Sequence, residues 1–298
     1  MSILIDENSR IVVCGITGKA GSLHTRKCLQ CGSKIVSGVC PGKGGTLFTA
    51  EGHDSVPVFD SVSEAVNRTH PNVALIFVPP AFAADSIFEC IDSNLPLIIC
   101  ITEGIPVQDM TLIKAKLRYS NSRLIGPNCP GVFSPGKCNL SIIPESIALP
   151  GHVGVVSKSG TLTYEAIWQL TSRGIGQSTC VGIGGDPISG TSHRDIVKLF
   201  NEDPETEAIV MIGEIGGNSE IQAAEYVKQH VKKPVVAFIA GVSAPKGKRM
   251  GHAGAIISGD SDSAIEKIKK LKSCGIAVAD LPTQIADTLL KIYHPEKK

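Results

Sequence analysis

The sequence predicts an α/β protein with two parallel-sheet domains, and three observations lead there. Short β-branched runs alternate with amphipathic stretches along the chain, the pattern of βαβ units whose strands lie parallel. The 298 residues exceed the roughly 100–200 that one core usually serves, which favours two domains. With 31 Gly and 4% aromatic residues beside 42% hydrophobic ones, the composition is that of a Gly-punctuated α/β fold rather than a disordered chain.

In the first half the apolar runs predict strands at 11–16, 34–39, 73–78, 97–101 and 123–125, with helices near 21–31, 81–93 and 107–119 between them. The segment Gly126-Pro-Asn-Cys-Pro-Gly131 packs two prolines and two glycines into six residues and reads as the seam between the halves. A looser, turn-rich stretch is expected from there to Gly151. The second half resumes with strands at 153–156, 179–183, 208–212, 235–239 and 276–278, and helices at 161–173, 194–201, 219–230, 261–273 and 282–292.

Charge and cysteine usage exclude several classes. Lys and Arg number 29 against 28 Asp and Glu, so a net charge of +1 offers no field for nucleic acid or an anionic membrane, and any anion must be bound locally. The first ten residues carry Asp6 and Glu7 and fit neither a signal peptide nor a transit peptide, and no apolar run reaches the roughly 18 residues of a membrane helix. Ten cysteines, many within apolar segments, read as free thiols of a reducing compartment. Cys28 and Cys31 form a C-x-x-C without a second pair at zinc spacing, so no metal site is expected.

Two regions carry chemistry. In the first, the strand at 11–16 runs into Gly15-Ile-Thr17-Gly18-Lys19-Ala20-Gly21 and then a helix, which aims backbone N–H groups and a helix N-terminus at phosphate, although tight strand-to-helix turns also need glycine for steric reasons. A dinucleotide site with a free ribose diol would want an acidic residue at the end of the next strand, yet none occurs between Ile35 and Gly45. Pro41-Gly-Lys43-Gly-Gly45 stands there instead, and a lysine in a glycine bed suits a phosphorylated ribose, as in CoA or NADP, or is a solvated loop lysine.

In the second region, Ser157, Lys158, Ser159, Gly160 and Thr161 follow a strand and open a helix, an anion site or a simple N-cap. Further on, His252 lies in a glycine-flanked loop with Lys246, Lys248 and Arg249 nearby, where a neutral imidazole can attack phosphorus. Glu214, at the end of another predicted strand, is placed to orient that imidazole through its other nitrogen, or to serve as a helix-start carboxylate. No G-x-x-x-x-G-K-S/T loop occurs, so the phosphoryl donor is expected on another chain.

Taken in order, Gly18 and Gly21, Pro41 to Gly45, Ile101-Thr102-Glu103-Gly-Ile-Pro106, Gly126 to Gly131, Ser157 to Glu165, Val181-Gly-Ile-Gly-Gly-Asp-Pro187, Gly213 to Gly217 and Gly247 to Ala255 closely resemble the α subunits of succinate–CoA ligases over nearly the whole chain. The resemblance implies a Rossmann-like CoA-binding domain (1–126) followed by a flavodoxin-like parallel-sheet ligase domain (127–298) bearing a phosphohistidine loop. By that likeness His252 is phosphorylated and Glu214 is its hydrogen-bond partner. Ser157, Ser159, Gly160 and Thr161 stabilise the phosphate, Tyr164 falls in the substrate segment, and Thr17, Gly18, Lys19, Ala20, Lys43, Ile101, Thr102 and Glu103 fall where the family binds CoA.

The implied partner is a β subunit with an ATP-grasp site for ATP or GTP and Mg2+, in an αβ or α2β2 assembly. The implied reaction joins succinate and CoA through succinyl phosphate, in the cytoplasm of a bacterium or in the mitochondrial matrix for a processed eukaryotic chain. Three departures stand out: Ala20 where glutamine is common, a longer connection over 46–55, and an altered segment over 144–151. A sister ligase for malate, an NADP-dependent oxidoreductase using Lys43, and a non-catalytic CoA-binding protein are the competing readings. The last two leave His252, Glu214 and the Ser157 helix start without a joint purpose.

Overall fold

The computed structural model describes residues 2–259 and 261–294. Met1, Asp260 and 295–298, which the expected domain bounds include, lie outside the described residues.

The first sheet contains β1 (Arg10–Cys14), β2 (Lys34–Val39), β3 (Leu47–Phe48), β4 (Val56–Phe59), β5 (Val73–Ile76), β6 (Leu97–Cys100) and β7 (Arg123–Ile125), in the order β3-β4-β2-β1-β5-β6-β7. All its neighbours pair in parallel except β3 with β4. Without the two-residue β3 this is the doubly wound Rossmann order, whose switch point lies between β1 and β5. Helices α1 (Lys19–Gln30), α2 (Val62–Thr69), α3 (Pro80–Asp92) and α4 (Val107–Leu117) cover its faces. Because both faces are covered, β5 and β6 are buried at every position, and their sequences read as unbroken apolar runs.

The chain leaves this sheet after Ile125 and enters the second at Gly131. There β8 (Gly131–Ser134), β9 (Cys138–Ser141), β10 (Pro150–Ser157), β11 (Gln177–Gly182), β12 (Ala208–Glu214), β13 (Val235–Ala240) and β14 (Ala277–Val278) lie in the order β14-β13-β12-β10-β11-β8-β9. The five parallel strands β10 to β14 follow the flavodoxin-like order, with a switch point between β10 and β12. They are flanked by α5 (Gly160–Thr171), α6 (His193–Glu202), α7 (Ser219–His230), α8 (Ala264–Ser273) and α9 (Ile285–Leu290).

The structure departs from the sequence reading in three places, the hairpin β8–β9, the pair β3–β4 and the helix α2. The stretch expected to be loose up to Gly151 contains an antiparallel hairpin, β8–β9, which extends the second sheet beside β11. Its turn is Pro135-Gly136-Lys137, closed by the Lys137 N–H on the Ser134 carbonyl at 3.0 Å, with Gly136 at φ 76°. β4 was hidden by Pro57, which faces only the short β3 edge, where a missing N–H is tolerated. The eight-residue α2 is announced by Ser61, whose hydroxyl accepts from the Glu64 N–H at 3.1 Å.

The two halves share packing. One apolar cluster runs from Val13 and Leu75 through Ile125, Cys129 and Val132 to Val181 and Met211. The Ser33 hydroxyl donates to the Asn139 carbonyl at 3.1 Å and accepts from the Asn139 N–H at 3.0 Å, while Lys114 Nζ donates to the Ser189 and Gly190 carbonyls at 2.9 and 2.6 Å. Within the second half Phe200 has no exposed surface and lies over Gly154, where even a Cβ would come within 2.6 Å of the ring. Phe200→Ala is expected to cost about 3–5 kcal/mol, read as a lower urea midpoint.

Candidate functional site

At the switch point of the second sheet the ends of β10, β11 and β12 bring three groups together. Beyond β10, Ser159 caps α5 by accepting from the Leu162 N–H at 3.2 Å, and the Ser157 hydroxyl braces the turn by accepting from the Ser159 N–H at 3.0 Å. No acidic residue lies in the first turn of α5, so the positive end of its dipole is not neutralised by its own side chains. Ser159 therefore does act as an N-cap, and the capped end still favours an anion.

At the end of β12, buried Glu214 points a carboxylate oxygen at His252 Nδ1, 2.7 Å away. Nε2 is thus the ring nitrogen that Glu214 leaves unengaged. The imidazole rests on Gly185, beyond β11, where a Cβ would lie 2.3 Å from the ring. Likewise a Cβ on Gly216, at φ 85°, would meet the Gly254 carbonyl at 2.1 Å, so glycine is what lets the histidine loop close onto β12. The hydrogen bond to the Glu214 carboxylate raises the His252 pKa against the opposing effect of partial burial, and the charges of Asp186 and Glu103 push the same way. Asn128, from the seam, donates to Asp186 at 2.9 Å. Lys248 and Arg249 lie on the exposed part of the loop.

Beneath this pair lies a set of charges that sequence reasoning missed. Lys267 Nζ, with no exposed surface, donates to the Glu214 and Gly216 carbonyls at 2.6 and 2.7 Å and to Glu220 Oε2 at 2.6 Å. Lys158 Nζ reaches Glu220 Oε1 at 3.1 Å. His193, also fully buried, is fixed between the Ile212 carbonyl at 2.9 Å and the Ser219 hydroxyl at 3.0 Å. Burial alone would push the Glu220 carboxyl up, but Lys158, His193 and Lys267 together hold it at about 2. Burial carries His193 down to about 4. The helix-start carboxylate is therefore Glu220, in the first turn of α7, and Glu214 belongs to β12.

In the first sheet the expected CoA residues sit beyond the ends of β2, β1 and β6, with β5 between the last two strands. Thr17, Gly18, Lys19 and Ala20 follow β1, and Gly18 opens α1 with no side-chain cap and no acidic residue in the first turn. Gly21 is needed because a Cβ there would lie 2.1 Å from the Gly15 carbonyl. Lys43, beyond β2, places Nζ 3.1 Å from the Thr17 hydroxyl. Ile101, Thr102 and Glu103 follow β6, where the Thr102 hydroxyl donates to the Val78 carbonyl at 2.7 Å and the Thr102 carbonyl accepts from the Asn128 N–H at 2.9 Å. Tyr164 is turned toward the hairpin, its hydroxyl donating to the Ile142 carbonyl at 3.4 Å. Cys28 is buried and Cys31 half-buried, their thiols pushed up to about 12 and about 11 by burial first, and all ten cysteines are free.

Two family models match this arrangement, "CoA binding domain" over residues 6–104 and "CoA-ligase" over 156–277. The α subunit of succinate–CoA ligase (ADP-forming) from Staphylococcus epidermidis is 54% identical over 290 residues, covering 97% of this chain and 94% of the relative. That of Aquifex aeolicus is 53% identical over 294 residues, covering 98% and 95%. The chain belongs to the family of succinate–CoA ligase α subunits.

Among solved structures, ATP citrate lyase from Methanothrix soehngenii in complex with citrate and coenzyme A aligns with a TM-score of 0.88 at 24% identity, covering 99% of this chain and 53% of that one. The dinucleotide-forming acetyl-coenzyme A synthetase 1 of Ca. Korarchaeum cryptofilum aligns at 0.74 and 23%, covering 94% and 60%. This family member thus spans roughly half the length of those larger chains, with which it shares the fold.

The buried charges predict a specific acid sensitivity. His193 resists protonation in the native state, so between pH 6.5 and about 4 only the unfolded chain takes up its proton, and stability falls by at most about 1.4 kcal/mol per pH unit. Glu220 adds a loss in the same direction from 4.5 down to about 2. Urea unfolding of His193→Gln should show a flatter slope between pH 6.5 and 4 than the parent; an equal slope would exclude His193 as the cause. Lys267→Met leaves Glu220 buried beside one cation and should cost about 3–5 kcal/mol at pH 7.

Proposed function

We propose that this chain is the catalytic α subunit of a succinate–CoA ligase, and that His252 carries the phosphoryl group between nucleotide and acid. The observation that carries the reading is the His252–Glu214 pair, 2.7 Å apart at the switch point of the ligase sheet, where α5 also begins beyond β10. Domains 1–126 and 127–298 would divide the work, the first binding CoA and the second performing phosphoryl transfer. The names of the relatives, α subunits of ADP-forming ligases, support a β subunit as partner and ATP as donor. ATP and its Mg2+ are assigned to that subunit, an ATP-grasp chain in an αβ or α2β2 complex, where the metal would neutralise charge on the transferring phosphoryl group. The bacterial relatives favour the cytoplasm as the compartment.

With Nδ1 engaged by Glu214, Nε2 attacks the terminal phosphorus, the P–O bond to the nucleoside diphosphate breaks, and Glu214 stabilises the imidazole as it becomes cationic. Ser159, Gly160 and Thr161 at the start of α5, with Ser157 bracing the turn, would bind the phosphate oxygens. A succinate carboxylate oxygen, in the segment near Tyr164, then takes the phosphoryl group and restores the imidazole. The CoA thiolate attacks the resulting acyl phosphate, forming the thioester and releasing phosphate. Splitting the transfer in this way lets each displacement use the same preorganised donors.

CoA delivery fits the strand order. From Lys43 beyond β2 to Glu103 beyond β6 the ligand would cross three strand spacings, about 14 Å. Thr17 to Ala20 would hold phosphates midway, at the start of α1. The thiol end would then arrive at Glu103, whose charge already acts on His252.

The test is to form the complex with its β subunit, supply ATP and Mg2+, and map acid-labile, base-stable phosphate by mass spectrometry. Phosphate is expected on His252, discharged by succinate with CoA and poorly by malate, and His252→Asn should lose both labelling and turnover. An active complex that never labels His252 would overturn the mechanism. Only neutral His252 is a nucleophile, and Glu214 raises its pKa, so labelling should decline on the acid side. Glu214→Gln should lower the plateau labelling rate by about a hundredfold or more while moving that acid limb to lower pH.

A further inference from the structure

We infer that Asp60 is a positioning residue of the CoA site, holding the Lys43 loop so that the complex distinguishes CoA from 3′-dephospho-CoA. The inference rests on the reading above in which Lys43 meets the ribose phosphate. Asp60 follows β4, one strand over from β2, and its Oδ1 accepts from the N–H groups of Gly42 at 2.7 Å and Gly44 at 2.9 Å, the two residues flanking Lys43. The Lys43 N–H donates to the Cys40 carbonyl and the Gly45 N–H to the Val58 carbonyl, both at 3.0 Å. All four successive N–H groups of the loop therefore have partners inside the protein. The glycine bed offers none of them to a phosphate, and discrimination falls to the lysine side chain alone.

That side chain is left free for the task. Its Nζ contacts the Thr17 hydroxyl, and among the described residues it forms no ion pair. Asp60 holds the loop through Oδ1, which accepts from both backbone N–H groups, and among the described residues it forms no ion pair with Lys43, so it shapes the loop without capturing the ammonium. It has no competing duty at α2, whose N-cap is Ser61. Gly42 and Gly45 stand at φ 79° and 81°, a backbone with few restraints of its own, so an outside anchor is what gives Lys43 one position. Gly44 carries no such φ, yet a Cβ there would lie 2.4 Å from Asp60 Oδ2, so even alanine must push the carboxylate away.

The measurement is the ratio of KM for 3′-dephospho-CoA to KM for CoA, taken on the complex with its β subunit. Lys43→Met should collapse the ratio. Asp60→Ala should lower it about tenfold, as expected for losing a charge-assisted hydrogen bond that places the cation, while Asp60→Asn, which keeps an Oδ1 acceptor, should restore it. Gly44→Ala should lower the ratio alone and add nothing in the Asp60→Ala background. If Lys43→Met collapses the ratio but Asp60→Ala leaves it intact, raising both KM values together, the positioning role is wrong and the Lys43 reading stands. If Lys43→Met leaves the ratio unchanged, the reading itself falls and the inference goes with it.

Discussion

The buried Lys267 ammonium holds the end of β12 in place, and the Glu214–His252 pair depends on it. A cation without solvent must find its partners inside the protein, and here they are Glu220 and the carbonyls of Glu214 and Gly216. Those two carbonyls belong to the turn by which the chain leaves the sheet, so satisfying the lysine fixes the backbone that presents Glu214. Lys158 joins Glu220 to the segment that opens α5, which ties the proposed phosphate end to the same anchor. Glu214 and α5 are thus held by one set of buried charges rather than by two independent loops.

Close backbone approach is the second constraint. His252 sits on Gly185 and its loop closes against Gly216, while Gly21 lets α1 settle on the turn after β1. Each contact is tighter than a side chain permits. At the ligase sheet they bring loops from three strand ends within reach of one imidazole, and at the CoA sheet they aim the first turn of α1 outward. Parallel sheets favour this arrangement, since every strand delivers its loop to the same edge. Asn128 ties the two edges together, its N–H on the Thr102 carbonyl beyond β6 and its side-chain amide on Asp186 beyond β11.

Much of this was readable in advance because it repeats along the chain. The buried strands are continuous apolar runs, the glycine turns stand at strand ends, and His252 and Glu214 carry chemistry uncommon enough to single out. What escaped notice lacked such a signal, or carried one that was passed over. Lys267 lies in a helix with several other lysines, and no pattern marks it as the buried one. Glu220 reads as an ordinary first-turn carboxylate. Asp60 follows a strand concealed by Pro57, although Ser61 and Glu64 announce the helix behind it, and the Pro135-Gly136 turn likewise announces a hairpin.

By itself the sequence determined the α/β class, the alternation that makes both sheets mainly parallel, and the residue types able to bind phosphate or carry it. These follow from local propensity and periodicity, which act over a few residues at a time. Tertiary structure decided which charges lose their solvent, that Glu214 rather than Glu220 faces His252, and that Asp60 rather than a phosphate occupies the N–H groups around Lys43. Those outcomes depend on groups 16 to 53 residues apart meeting at strand ends. Only the order of strands in the sheets brings them together.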